Sequence, residues 1–197
     1  MMQLIEQFKF TEDIIFELLV PPFEEKYNYY YKPTEALHTF DEGTIILNVN
    51  GKKSIIIVET IQSIICPFSD YLKKALINKC FLSSQIQLGS LMNVYNYDQY
   101  QNYWQDENIP YTEIVDYDSF SLWSTPPGGM ESWIYNRDGK IYLEIGKSYV
   151  VPEPQNDQAF EEFMSQYKPL FFEEIPREIA EDWLKKAESI VREIGED

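Results

Sequence analysis

The chain has 197 residues, of which 44% are hydrophobic and 16% aromatic, and 33 acidic side chains outnumber 16 basic ones to give a net charge of −17. A chain of this length and apolar content can bury a sizeable core, which argues against intrinsic disorder. Phosphates would repel so acidic a surface, so general binding to DNA or RNA is not expected. The charge instead predicts a basic protein partner.

The first residues and the apolar runs of the chain predict its cellular compartment. Residues 1–9 lack the cationic start, continuous apolar stretch and cleavage site of a secretory signal. The apolar run 55–58 has the length of a strand and falls far short of the about 20 residues that span a bilayer. We therefore expect a soluble, cytoplasmic protein that does not bind membranes. The oligomeric state is not predicted.

The sulfur and imidazole side chains are too few for a metal or disulfide framework. Cys66 and Cys80 are the two cysteines and do not form a CxxC motif, and His38 is the one histidine. Together they cannot supply the four nitrogen or sulfur ligands of a structural zinc site. We expect two structural thiols, no metal and no cofactor.

The N-terminal part contains one ambiguous element and one extended stretch. Residues 8–20 are mostly apolar and end at Pro21 and Pro22. Thr11 can cap a short helix there, but the same apolar residues suit a buried strand, so both alternatives stay open. The tyrosine-rich stretch 27–33 favours a strand.

Two hairpins are predicted from turn chemistry. Asn50-Gly51 and Asp138-Gly139 are dipeptides that accept the positive φ angles of tight hairpin turns. The flanking runs are rich in β-branched and aromatic residues, as strands are. The paired runs are 44–49 with 54–58, and 132–135 with 140–145.

The segment between these hairpins predicts a helix and a short strand. Pro67 and Ser69 are expected to introduce a helix over residues 70–77, because both residue types favour helix starts. Residues 81–88 alternate polar and apolar side chains in their second half, which predicts a strand.

After Pro154 the apolar period changes from that of strands to that of helices. Asn156 or Asp157 can cap the first helix, and Pro176 suits the first turn of the second. The apolar stripes are Phe160, Phe163, Met164 and Tyr167 in the first helix, and Ile179, Trp183, Ala187, Ile190, Val191 and Ile194 in the second.

These elements predict an α+β fold. In it, an antiparallel sheet built from hairpins is covered on one face by the two C-terminal amphipathic helices. We expect a single domain over residues 1–197, with lobes 1–90 and 91–197 as the alternative.

No catalytic constellation is visible in the sequence. A Ser-His-Asp or Cys-His arrangement would need His38, and Gly-x-Ser-x-Gly, phosphate-loop and dinucleotide motifs are absent. Residues 116–118 lack the later glycine and glutamate of a calcium loop. Carboxylate pairs are abundant, but sequence spacing does not show which of them face each other across a cleft. We therefore predict no catalytic residue and a protein that is not an enzyme.

Residues 80–136 have the composition of a binding surface. They contain seven carboxylates, seven tyrosines and three of the four tryptophans, but no lysine or arginine. Aromatic contact area interleaved with carboxylates suits a cationic partner. Tyr97, Tyr100 and Trp104 also have the spacing of a buried helical stripe, so core packing is the alternative. The partner-binding candidates are Tyr97, Asp98, Tyr100, Tyr103, Trp104, Asp106, Glu107, Asp116 and Asp118.

The last third of the chain carries an ordered set of features: strand 140–145, Tyr149, Phe160, Phe163, Met164, residues 167–169, residues 175–178, Ala180, Trp183 and Leu184. In this order it resembles small acidic bacterial proteins of unassigned activity associated with polymorphic-toxin and contact-dependent inhibition loci. The resemblance implies an immunity-type binding protein that neutralises a cognate toxin by occluding a basic surface. It carries over no functional residue, because immunity families share no catalytic motif.

Two other functions compete with this expectation. One is a small hydrolase or small-molecule binder with an aromatic cleft and paired carboxylates. The other is a structural protein, which would follow if the acidic aromatic segment were wholly buried.

Overall fold

The computed structural model describes residues 2–21, 37, 39–102, 116–125, 128–152 and 154–195. The fold is α+β, and it divides into two compact units. Unit 1 joins Met1–Ile77 to Ile175–Asp197, and unit 2 is Asn78–Glu174.

Unit 1 contains an antiparallel sheet of order β1-β2-β3-β4 and two helices. Its elements are β1 Gln3–Lys9, β2 Ile14–Val20, β3 Glu42–Val49, β4 Lys52–Thr60, α1 Ile61–Leu76 and α4 Arg177–Gly195. Aromatic rings join the sheet to the helices: Phe8 meets Phe68 edge-on at 5.0 Å, and Phe16 meets Trp183 at 5.5 Å. The Trp183 indole also donates to the Lys9 carbonyl at 2.8 Å, so α4 is fixed to β1 by packing and by a hydrogen bond.

The ambiguous segment 8–20 forms strands. Thr11 caps the turn between β1 and β2 instead of a helix, because its hydroxyl oxygen accepts from the backbone N–H groups of Asp13 at 3.2 Å and Ile14 at 3.1 Å. A threonine that satisfies the backbone locally in this way competes with helix formation.

Both predicted hairpins are confirmed. Asn50 and Gly51 have φ values of 51° and 81° between β3 and β4, and Asp138 and Gly139 have values of 53° and 76° in the second turn. Positive φ at both central residues is the type I′ geometry, whose twist matches that of the strands.

The predicted start of α1 is wrong. The helix begins at Ile61 and not after Pro67, which lies inside it, and the Thr60 hydroxyl caps it by accepting from the Ser63 N–H at 3.2 Å. Ile61 and Ile64 are fully buried, so the first turns gain apolar burial that outweighs the hydrogen bond lost at the proline.

Unit 2 contains a second sheet, of order β5-β6-β7-β8, together with helices and one 3-10 turn. Its elements are β5 Ser121–Ser124, β6 Met130–Arg137, β7 Lys140–Lys147, β8 Phe171–Ile175, α2 Leu91–Asn102, α3 Asp157–Gln166 and the 3-10 turn Tyr117–Ser119. Strands β5 and β8 were not predicted. The capping prediction for α3 is confirmed, because Asn156 Oδ1 accepts from the Ala159 N–H at 3.0 Å.

The strand predicted over 81–88 is wrong. This stretch forms turns, with one isolated bridge between Phe81 and Asn136. The buried Arg137 side chain takes the place of a neighbouring strand, because its guanidinium donates to the carbonyls of Leu82 at 3.1 Å and Ile86 at 2.8 Å. Backbone acceptors satisfied by a side chain do not need a strand partner.

The expectation of one sheet covered by both C-terminal helices is also wrong in part. The structure has two sheets, α3 belongs to unit 2, and α4 belongs to unit 1. Helix α4 does begin directly after Pro176, as predicted, and buries Trp183, Ala187 and Ile190 of the predicted stripe.

Three further expectations concern the two cysteines, the stretch 27–33 with His38, and membrane-spanning segments. Neither Cys66, which is half-buried, nor Cys80, which is buried, forms a disulfide in the described part of the chain. The stretch 27–33 and His38 lie outside the described residues. Within the described ranges, no helix combines the length and the apolar character needed to cross a membrane.

The corrected start of α1 predicts an effect on stability. Thr60→Ala should lower the free energy of unfolding by about 1 kcal/mol, because the Ser63 N–H loses its acceptor. Thr60→Ser keeps a hydroxyl that can accept from the Ser63 N–H and should cost clearly less. Urea denaturation of the two variants measures both values, and equal losses in the two variants would contradict this helix cap.

Candidate functional site

The N-terminus of α2 is held by one buried carboxylate from β7. Glu144 is fully buried and accepts from the backbone N–H groups of Met92 at 2.9 Å and Leu91 at 3.4 Å, and from the Tyr135 hydroxyl at 2.8 Å. Burial raises the pKa of Glu144, while these three hydrogen bonds oppose that rise. An anion at a helix N-terminus meets unsatisfied N–H groups and the positive end of the dipole, so Glu144 determines where α2 begins.

Two further features keep α2 close to the sheet. A Cβ at Gly146 would lie 2.8 Å from Met92 Cγ and would collide with the Tyr167 hydroxyl, so only glycine permits this approach. Just beyond the same end of β7, the buried Asn96 side chain accepts from the Tyr149 N–H at 2.8 Å. The positions of the α2 side chains are therefore fixed relative to β7.

The two described tyrosines of the predicted helical stripe have different environments. Tyr100 is buried and stacks on Phe160 with a centroid distance of 4.0 Å, and its hydroxyl donates to Asp157 at 2.5 Å. The pKa of Tyr100 is raised to about 12, mainly by burial and secondly by this hydrogen bond. Tyr97 is 47% exposed and meets the same Phe160 ring edge-on at 5.1 Å. Core packing thus applies to Tyr100, whereas Tyr97 lies at the surface.

Asp98 on α2 is joined to the 3-10 turn that carries two other predicted carboxylates, Asp116 and Asp118. The Tyr117 hydroxyl donates to Asp98, which brings the 3-10 turn to α2, and Asp116 and Asp118 on either side of Tyr117 are exposed. Helix α3 adds exposed carboxylates of its own. We call this surface the α2 acidic face and define it as Tyr97, Asp98, Asp116, Asp118, Asp157 and Glu161. The other candidates, Tyr103, Trp104, Asp106 and Glu107, lie outside the described residues.

Unit 2 also contains a cavity that the sequence did not predict. It has a volume of about 220 Å³ and is formed by α2, by the end of β5 and the start of β6, and by the chain that follows β7. Its lining residues are Tyr95, Gln99, Ser124, Thr125, Glu131, Ser148, Tyr149, Val150 and Val151.

Glu131 is the one carboxylate among the described lining residues. It is 3% exposed and accepts from the Ser124 hydroxyl at 3.2 Å and from the Thr125 backbone. Desolvation raises the pKa of Glu131 to about 7, although both hydrogen bonds favour the charged form. No lysine or arginine in the described part of the chain forms an ion pair with it. A buried carboxyl that titrates near neutral pH can bind a cation or exchange a proton.

One sequence feature is connected with the site of Glu131, because residues 80–136, which include it, contain no lysine or arginine. The described residues contain no group of three or more His, Cys, Asp or Glu side chains that could hold a metal ion.

Comparisons with protein-family models, with curated proteins and with solved structures found no match. The chemistry of the site is therefore inferred from its own geometry.

The pKa of Glu131 predicts how stability depends on pH. Between pH values of about 4.5 and about 7 the folded protein keeps a proton that the unfolded chain releases, so this carboxyl lowers stability as the pH rises through that range. Glu131→Gln cannot ionise and should be more stable than the wild type at pH 8, by on the order of 2 kcal/mol after discounting for solvent in the cavity.

The measurement is chemical denaturation at a series of pH values. Glu173→Gln, which removes an exposed carboxylate of the same unit, serves as the control and should retain the wild-type profile. Parallel profiles for the wild type and Glu131→Gln would show that Glu131 does not titrate in this way.

Proposed function

We propose that the protein is an immunity-type binding protein that neutralises a cognate bacterial toxin by covering a basic surface of that toxin. The observation that carries the proposal is the α2 acidic face, which combines exposed carboxylates of the 3-10 turn and α3 with the half-exposed Tyr97 of α2. The face belongs to a part of the sequence, residues 80–136, that has no lysine or arginine.

The charge of the face supports recognition of a cation-rich partner. Asp116, Asp118, Asp157 and Glu161 are all exposed. Like-charged side chains clustered without bases produce a field that accelerates encounter with a positive surface and disfavours anionic partners.

The aromatic residues of the face supply a contact that charge alone does not. Tyr97 presents a large amphipathic side chain, and its packing against Phe160 restricts its motion before a partner arrives. Tyrosines held in this way lose little entropy on binding and are frequent energetic centres of interfaces.

The resemblance of the last third of the chain to immunity-locus proteins supports a toxin as the partner. A nuclease, or another enzyme with a basic active-site surface, would complement this face, and occlusion requires no catalytic group on the inhibitor.

A second candidate function, small-molecule binding, is favoured by the cavity. Hydrolysis by paired carboxyls needs a second acid within about 5 to 9.5 Å of the first, and Glu131 is the one carboxylate among the described lining residues. The cavity therefore supports binding more strongly than hydrolysis.

The proposed function is tested by co-expression of the full chain with the products of the genes adjacent to its own. We expect one product to be toxic alone, to be neutralised by this protein, and to co-purify with it. Asp116→Asn/Asp118→Asn/Glu161→Gln should slow association by roughly tenfold or more at low salt, and added salt should narrow the difference.

The matched control is Asp13→Asn/Glu59→Gln/Glu193→Gln, which removes three exposed carboxylates from unit 1 and should associate at nearly the wild-type rate. The proposal fails if no neighbouring product forms a complex. The placement on the α2 acidic face fails if both triple variants associate equally fast.

A further inference from the structure

We propose that the cavity beside α2 is a binding site for an organic ammonium group, with the Glu131 carboxylate as its counter-ion and the rings of Tyr95 and Tyr149 as its walls. This site is chemically distinct from the α2 acidic face. The proposal of an ammonium site does not depend on whether the partner of that face is a toxin.

The first argument is the unbalanced charge of Glu131. A carboxylate that is 3% exposed loses most of its hydration, and its hydrogen bond from the Ser124 hydroxyl is 3.2 Å long. Buried carboxylates are usually paired with a cation, and no described lysine or arginine performs that role here. A cation that enters the cavity would supply the missing charge.

The second argument is the rigidity of the aromatic walls. The Tyr95 ring contacts Trp133 at 5.4 Å and Tyr117 at 5.2 Å, so its position is fixed from two sides. Tyr149 is held in the same way by Phe160 at 5.1 Å and Phe163 at 5.0 Å. Fixed aromatic rings near a carboxylate attract cations through the ring quadrupole and lose little entropy when the ligand binds.

The third argument is the size and the remaining lining of the cavity. Its volume of about 220 Å³ exceeds the roughly 150 Å³ that accommodates benzene, so an alkylammonium of four or five carbons fits. Val150 and Val151 offer apolar contact to an alkyl chain, and Gln99 and Ser148 offer polar groups. No base is among the described lining residues, so anionic ligands are disfavoured.

The titratable groups of the described lining are Glu131 and the phenols of Tyr95 and Tyr149. The Glu131 carboxyl changes charge near neutral pH, and an ammonium group binds its ionised form. The affinity for an ammonium ligand should therefore rise with pH until Glu131 is fully ionised.

The test is calorimetric titration of the full chain at pH 8 and constant ionic strength with n-butylammonium chloride, with n-butanol as the uncharged probe of similar shape. We expect saturable binding of the ammonium and at least tenfold weaker binding of the alcohol. Glu131→Gln should weaken ammonium binding by tenfold or more, and Tyr149→Leu should weaken it severalfold.

Glu173→Gln is the control of equal charge change and should bind like the wild type. The proposal is overturned if butylammonium does not bind saturably, if butanol binds equally well, or if Glu131→Gln and Glu173→Gln behave alike. If Glu131 has a structural role alone and the cavity binds no ligand, butylammonium will not bind saturably.

The source of the ammonium group is separated by a second titration with a short peptide that contains one lysine. Binding of the peptide as well as butylammonium would assign the site to a lysine side chain of a protein. Binding of butylammonium alone would assign it to a small amine. Both results support the ammonium site.

Discussion

The buried hydrogen bonds between Glu144 and the start of α2 are the constraint on which the described functional surfaces depend. A charge removed from water is costly, and here two backbone N–H groups and the Tyr135 hydroxyl offset that cost. The same bonds satisfy donors that every helix leaves unpaired at its N-terminus. A carboxylate from the middle of a sheet thus determines the start of a helix 52 residues earlier in the chain.

Helix α2 contributes to both proposed sites. Its outer side carries Tyr97 and Asp98 of the α2 acidic face, and its inner side carries Tyr95 and Gln99 of the cavity. The two are linked by packing, since the Tyr95 ring contacts that of Tyr117, whose hydroxyl donates to Asp98.

Local chemistry was enough to predict some elements of the fold from the sequence. Both hairpins follow from Asn-Gly and Asp-Gly dipeptides, and the Asn156 cap and the start of α4 follow from residues at those positions. The two failures have different causes. Segment 81–88 avoids a strand because Arg137, far away in sequence, satisfies its carbonyls, and no local pattern contains that information. The start of α1 had a local signal, the Thr60 cap before the buried Ile61 and Ile64, but Pro67 and Ser69 offered a competing one.

The candidate site, like the fold, was predicted from the sequence in part. Composition identified the segment that carries Tyr97, Asp98, Asp116 and Asp118, because a run without bases is visible in one dimension. It did not separate the exposed Tyr97 from the buried Tyr100, which depends on where Phe160 of another helix lies. The cavity around Glu131 is assembled from three separate stretches of chain and therefore has no sequence signature.

The role of Glu144 is most directly tested by hydrogen exchange, measured by mass spectrometry on the wild type and on Glu144→Gln. Loss of the anion should accelerate exchange in Leu91–Asn102 by roughly tenfold or more, while β6 and β7 retain most of their protection. Unchanged protection of α2 in the variant would contradict the claim that this carboxylate holds the helix in place.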